Sequence, residues 1–258
     1  MEIREGKYCV KLALTPVEKH QVYALRHDVY CKELHFAGKT QDHEKYAVTE
    51  SDYFDELCDH LIIRDEQQDR CVGTFRFLSG GKLPKGCGFY SEQWFDIGQL
   101  RDKRDQILEL GRACIDSQYR NSIVFRLLFS GLGAYLHLYP HTYLIGLTTL
   151  SADTKNDIAI VSRYLAGNDT INFTFDVKPL EQLDISAGSP DPFASGEISQ
   201  RDVLKKMSTL MLAYYKYGAT FVSEPSVDVD FNPPVFDFFT IFDAHKLPSW
   251  VMPKTRVS

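Results

Sequence analysis

The chain has 258 residues, 44% hydrophobic and 25% charged, with a formal net charge of −6, a composition suited to one large packed domain. That acidic balance repels nucleic acid, so no nucleic-acid partner is expected, and an anionic partner must meet a local basic patch. Six scattered cysteines without a C-x-x-C pair, no leader-like N-terminus and no run of about 20 apolar residues predict a cytoplasmic protein.

In chain order, "YCVKLAL" (8–14) alternates like a strand, and "TPVEKHQVYALRHDVYCKEL" (15–34) opens with a Thr cap and a proline at the first helical position. Val17, His20, Val22, Leu25, Val29 and Leu34 recur at roughly helical spacing. The polar stretch 35–54 predicts a long loop. "CDHLIIRD" and "RCVGTFRFLS" form a hairpin around "DEQQD", and "SEQWFDIGQL" a short helix opened by Ser91. "DQILELGRACID" is a strand, and 117–139 a helix with Val124, Leu127, Leu128, Gly131, Tyr135 and Leu138 on one face. "TYLIGLTTL" is a strand and 151–167 a helix ending at Gly167. A Pro, Gly and Ser-rich connection (176–197), one helix (198–219) and short strands broken by Pro225, Pro233 and Pro234 complete the chain.

Several charges sit among apolar neighbours. In "ILELGRACI" alternation puts Glu109 on one strand face and Arg112 on the other, each costly there unless solvated, paired or displaced by a bulge at Gly111. Arg76 lies inside "VGTFRFL" and Arg26 inside the first helix, while Asp52 and Asp55 precede the apolar run 57–63. These guanidinium and carboxylate groups are expected to converge on one polar cleft. His27, Cys31 and His35 stand at helical spacing without a second Cys/His cluster, so no metal site is expected.

The ordered set Arg26-x-x-Val29-Tyr30, Asp52-x-x-Asp55, Gly73-Thr74-x-Arg76, "FYSEQWFD" and Glu109-Leu110-Gly111-Arg112 resembles the acyl-homoserine-lactone synthase branch of the GNAT fold. With "FDELCDHLIIRD", "YRN" and "FNPPVFDFF" added, the chain is more similar still to N-acyltransferases of the ornithine-lipid-synthase type, often grouped with hemolysin-like proteins, over most of residues 20–242. The resemblance implies an α/β (α+β) fold: a GNAT-like mixed, mostly antiparallel sheet flanked by helices. Residues 1–176 would form the acyltransferase core, and 177–258 a C-terminal extension completing the same domain.

The implied reaction moves a fatty acyl group, often 3-hydroxyacyl, from the phosphopantetheine thioester of acyl carrier protein to the amino group of an amino acid such as ornithine or glycine, with no bound cofactor. Glu109, Arg112 and Arg76 are the expected catalytic residues, with Glu109 as base. Arg26, Asp52 and Asp55 are expected at the substrate. Arg120 and Arg126 are expected to meet the carrier protein, because "RNSIVF" places Ile123 and Phe125 where a coenzyme A-binding turn keeps glycine. The amphiphilic product implies transient contact with the inner membrane. A signal synthase acting on S-adenosylmethionine and a non-catalytic lipid-binding protein are the competing expectations.

Overall fold

The computed structural model describes residues 1–35, 49–120, 122–150, 155–167, 175–181, 199–222, 224–229, 231 and 234–252. Most of the loop expected at 35–54 and of the connection expected at 176–197 lies outside them. Among the described residues the eleven strands are β1 (Glu2–Glu5), β2 (Tyr8–Leu12), β3 (Asp59–Asp65), β4 (Arg70–Ser79), β5 (Phe95–Asp96), β6 (Ile107–Ile115), β7 (Tyr143–Leu150), β8 (Lys178–Pro179), β9 (Thr220–Phe221), β10 (Ser226–Asp228) and β11 (Val235–Asp243). Nine of them make one sheet in the order β1-β2-β3-β4-β6-β7-β11-β10, with β9 also on β11; β5 and β8 pair separately. Every pairing is antiparallel except β6 with β7. This is the GNAT-like mixed fold expected from the sequence.

The parallel pair runs only from Ile107 opposite Tyr143 to Leu110 opposite Gly146, although both strands continue. Beyond Leu110 they part.

Helix α1 (Pro16–Arg26) starts at a reciprocal cap: Glu18 N–H donates to Thr15 Oγ1 (3.2 Å), and the Glu18 carboxylate accepts the N–H groups of Leu14 and Thr15 (3.0 and 3.1 Å). It widens into a π-helical stretch at His27–Glu33. The remaining helices are α2 (Ser122–Leu138), α3 (Lys155–Gly167), α4 (Gln200–Leu204) and α5 (Thr209–Lys216). Among the described residues no helix is long and apolar enough to cross a membrane.

Alternation in the strands sorts the core. Leu61, Ile63, Leu108 and Leu144 face α2, α3 and α5 in the largest apolar cluster. Ile62, with Cys71 and Cys114, faces α1 on the opposite side, and Ile107, Ile145 and Phe239 on that side meet Phe89, Trp94, Phe95 and Leu100. A polar strip separates those two clusters.

Four local expectations are corrected. Residues 198–219 are two helices, because the Ser208 hydroxyl accepts the Met211 N–H (3.2 Å) and starts α5 afresh. The helix expected at 91–100 is a 3-10 turn at Tyr90–Gln93, strand β5 and a second 3-10 stretch, since the Ser91 N–H is committed to Glu109 and Gly98 turns the chain at φ +51°. The C-terminal strands expected to be short include the nine-residue β11, which starts immediately after Pro234. Val17, Leu34 and Leu138 are exposed, while Glu18 and Arg26 take buried positions on α1. The half-exposed edge strand β1, "EIRE", carries too many charges to read as a strand.

Candidate active site

The polar strip is an alternating ionic chain. Arg26, at the end of α1, donates from Nε to Glu50 (2.5 Å) and from both Nη atoms to Asp55 (2.6 and 3.0 Å). Arg76 of β4 donates to both oxygens of Asp52 (2.7 and 2.8 Å) and to Asp55 (3.2 Å). Arg112 of β6 reaches Glu50 (3.2 Å), Asp52 (3.1 Å) and the Tyr90 hydroxyl (3.2 Å). Three guanidiniums thus balance three carboxylates.

The acids crowd ahead of β3 for a local reason as well. Asp52 caps the 3-10 turn Tyr53–Glu56 by accepting the Phe54 N–H (2.9 Å), and Asp55 reaches back to the Asp52 N–H (2.6 Å). Burial alone would raise Asp55 and Glu50; Arg26 and Arg76 for the first, Arg112 and Arg26 for the second, outweigh it and hold both below the ordinary carboxylate range.

Arg112 joins this group through a β-bulge. Arg76 pairs with Gly111 and Thr74 with Cys114, which leaves Arg112 and Ala113 together opposite Phe75. Arg112 takes φ +51°, rare for a side-chain-bearing residue. Plain alternation would have kept it on the face opposite Glu109; the bulge brings it back beside Arg76 and Glu109.

Glu109 is buried, and its two oxygens accept the N–H groups of Tyr90 (2.7 Å) and Ser91 (2.8 Å). Burial raises its pKa against those bonds. With Arg76, Tyr90, Arg112, Asp228 and Asp237 it lines a small cavity of about 70 Å³. Asp237, on β11, accepts the Thr149 hydroxyl (2.7 Å). Burial, reinforced by the Asp228 charge and opposed by Thr149 and Arg112, pushes it up to about 7.

The cavity opens into a slot of about 510 Å³ between the parted ends of β6 and β7, walled by Phe75, Leu110, Leu147, Leu210, Tyr214 and Val235. A second cleft of about 600 Å³ continues from it, sharing Ala113, Ser208 and Leu210 and reaching Phe125, Leu128 and Arg120. Arg120 is held there by Glu33 (2.5 and 2.6 Å). Arg126 pairs with Glu5 of β1 and lines none of these cavities.

The structure therefore gathers Arg26, Asp52, Asp55, Arg76, Glu109 and Arg112 at one place, sets Arg120 at the outer cleft, and leaves Arg126 apart. Sequence reasoning missed Tyr90, Asp228 and Asp237 as site residues, and it included Glu50 only among the acids of "ESDYFDE" without singling it out. For Asp237 a signal existed: one acid in the otherwise apolar "VFDFFTIF".

Residues 25–130 match the acetyltransferase (GNAT) domain model. Curated relatives include the L-ornithine N(alpha)-acyltransferase of Brucella abortus, 25% identical over 95% of this chain and 88% of that protein. The L-ornithine N(alpha)-acyltransferase of Rhodobacter capsulatus is 28% identical over 87% of this chain and 86% of its own. Among solved structures, the CoA-dependent acyl-homoserine lactone synthase BjaI, with SAM and isopentyl-CoA, overlaps 95% of this chain and 89% of its own at 13% identity and a TM-score of 0.48.

Proposed function

We propose that this chain, a GNAT-fold acyltransferase, transfers a fatty acyl group, 3-hydroxyacyl chains included, from the phosphopantetheine thioester of acyl carrier protein to the α-amino group of an amino acid such as ornithine. The product is a lyso-aminolipid. The observation that carries this reading is the junction of a carboxylate-lined cavity with an apolar slot between parted strands. An ammonium belongs in the first and an acyl chain in the second, so nitrogen and thioester carbon would meet near the Arg112 bulge. The interrupted ladder there is a source of backbone N–H donors for the oxyanion.

Asp52 and Asp55 fix Arg76 and Arg112, so the ionic strip acts as a rigid wall that holds the acceptor in place. Glu109 clamps the Tyr90–Gln93 turn over the cavity through its two accepted N–H bonds. In this reading Arg120, which lines the outer cleft, and Arg126, which lies apart from it, would meet an acidic carrier. Ile123 and Phe125, near the start of α2, favour a donor without a pyrophosphate. Release of an amphiphilic product favours a transient stay of this cytoplasmic enzyme at the inner membrane surface.

Purified protein incubated with acyl carrier protein thioesters and single amino acids tests the reading by mass spectrometry. An N-acyl amino acid formed faster from the carrier than from the coenzyme A thioester is expected. A lactone formed from S-adenosylmethionine, or no product with any acceptor, overturns it.

A further inference from the structure

Three carboxylates on the sheet, Glu109, Asp228 and Asp237, line the cavity without belonging to the ionic strip, and Glu109 and Asp237 differ in how they are held. Glu109 gives both oxygens to backbone N–H donors 2.7 and 2.8 Å away. Asp237 gives Oδ1 to the Thr149 hydroxyl at 2.7 Å, and its Oδ2 accepts no hydrogen bond among the described residues. Asp237 is only 3% exposed, yet it lines the cavity. A buried carboxylate with an unused oxygen, on a residue that lines a cavity, is suited to receive a proton donor.

Its placement follows from register. Asp237 stands directly across from Thr149 on β7 and diagonally from Asp228 on β10. Leu147 and Thr149, on the same face of β7, line both the cavity and the slot. Asp237 therefore stands at the inner end of the path an acyl chain would follow.

We propose that Asp237, rather than Glu109, is the catalytic base that takes a proton from the acceptor ammonium before the nitrogen attacks the thioester. The assignment rests on the acyl-transfer reading above. The ammonium gives one proton to Asp237 Oδ2 and becomes an amine whose lone pair forms the C–N bond. The C–S bond then breaks, the nitrogen's second proton leaves with the departing sulfur as a thiol, and Asp237 returns its proton to water.

The surroundings fit that role. Thr149 comes from β7, Asp228 from β10, and Arg112 and Glu109 from β6, while Arg76, Tyr90 and Tyr30 complete the charged and titratable walls. With a value of about 7, Asp237 is divided between its two forms at neutral pH, the condition under which a base both exists and drives proton removal. Glu109 is tied down by two donors, and accepting a proton would weaken the turn it holds.

The test compares kcat/KM against pH for wild type, Asp237→Asn, Glu109→Gln and Thr149→Val, using an amino acid acceptor and, separately, hydroxylamine, which is neutral without a base. Asp237→Asn should lower the amino-acid rate about 10²-fold or more and erase the acidic limb. Its defect should shrink at least tenfold with hydroxylamine. Thr149→Val, which removes a bond that favours the charged carboxylate, should move the limb to higher pH and keeps the test open should Asp237→Asn fail to fold. Glu109→Gln should keep the limb. Loss of the limb in Glu109→Gln alone, or an Asp237→Asn rate within a few-fold of wild type, overturns the assignment and leaves acyl transfer standing; a wild type that acylates nothing overturns both.

Discussion

Arg26 is the bulkiest of the fully buried side chains, and nothing about a helix end requires a cation at zero exposure. It stays there because Glu50 and Asp55 satisfy it along two edges of the guanidinium plane, the fork geometry a lysine cannot supply. Arg26→Met would leave two buried carboxylates with only their longer ion pairs to Arg76 and Arg112, and a loss of about 3 kcal/mol is expected in urea unfolding. The double variant Arg26→Met with Asp55→Asn should recover part of that, because one weakly paired charge is removed. Beneath the pair lies His60, 1% exposed, with Nε2 near the Asp55 carbonyl oxygen (3.3 Å) and the Tyr23 hydroxyl (3.5 Å). Burial outweighs the attraction of Asp55 and lowers His60 to about 4. The folded protein thus resists a proton that the unfolded chain binds near 6.5, so His60 costs nothing above that pH and destabilises progressively as pH falls from about 6.5 toward 4. Urea midpoints across this window should show a loss on the order of 2 kcal/mol that His60→Gln largely removes.

At the scale of elements, the bulge in β6 and the parting of β6 from β7 create the site. Gly146 sits at the last paired position, where a Cβ would stand 2.5 Å from the Leu110 carbonyl oxygen. Gly146→Ala should push the strands apart one residue too early, costing about 1–3 kcal/mol in thermal unfolding and changing acyl selectivity more than acceptor selectivity. The cap of α1 is a milder test: Thr15→Ala, measured by urea unfolding, should cost about 1 kcal/mol, leaving the site's ion pairs intact. These elements differ in how far they were legible. The α1 cap, the β3–β4 hairpin and the core face of α2 follow from local spacing, and the gathering of Arg26, Arg76 and Glu109 with Asp52 and Asp55 in one polar cleft followed from charges set among apolar neighbours. The side of Arg112 did not follow from alternation, which fails where the β4–β6 ladder slips, and a bulge at Gly111 was only one of the readings open for it. Asp237 was hidden for the opposite reason: its apolar neighbours made β11 look like core, and only pairing with β7 turns that acid toward the cavity. Glu50 lies beside a polar stretch, and only the fold brings it to Arg26.

Across the whole molecule, charge and apolar surface are separated along one path. The six strip charges cancel at its inner end, and the path then runs outward between β6 and β7 beneath α5 to the start of α2. Leu210 of α5 is among the residues common to the slot and the outer cleft, half-buried where the two meet. If a long acyl chain threads this passage, an indole there should block it without touching any charged group at the cavity. Leu210→Trp is therefore expected to leave the rate with short donors within a few-fold of wild type. With long-chain thioesters kcat/KM should fall at least tenfold, as a competition assay over graded chain lengths would show. A uniform loss at every length would mean that the chain lies elsewhere, and an unchanged profile that α5 does not border it. Because Leu210 packs at the edge of the core rather than within it, stability should change by less than about 1.5 kcal/mol, which keeps selectivity separable from folding.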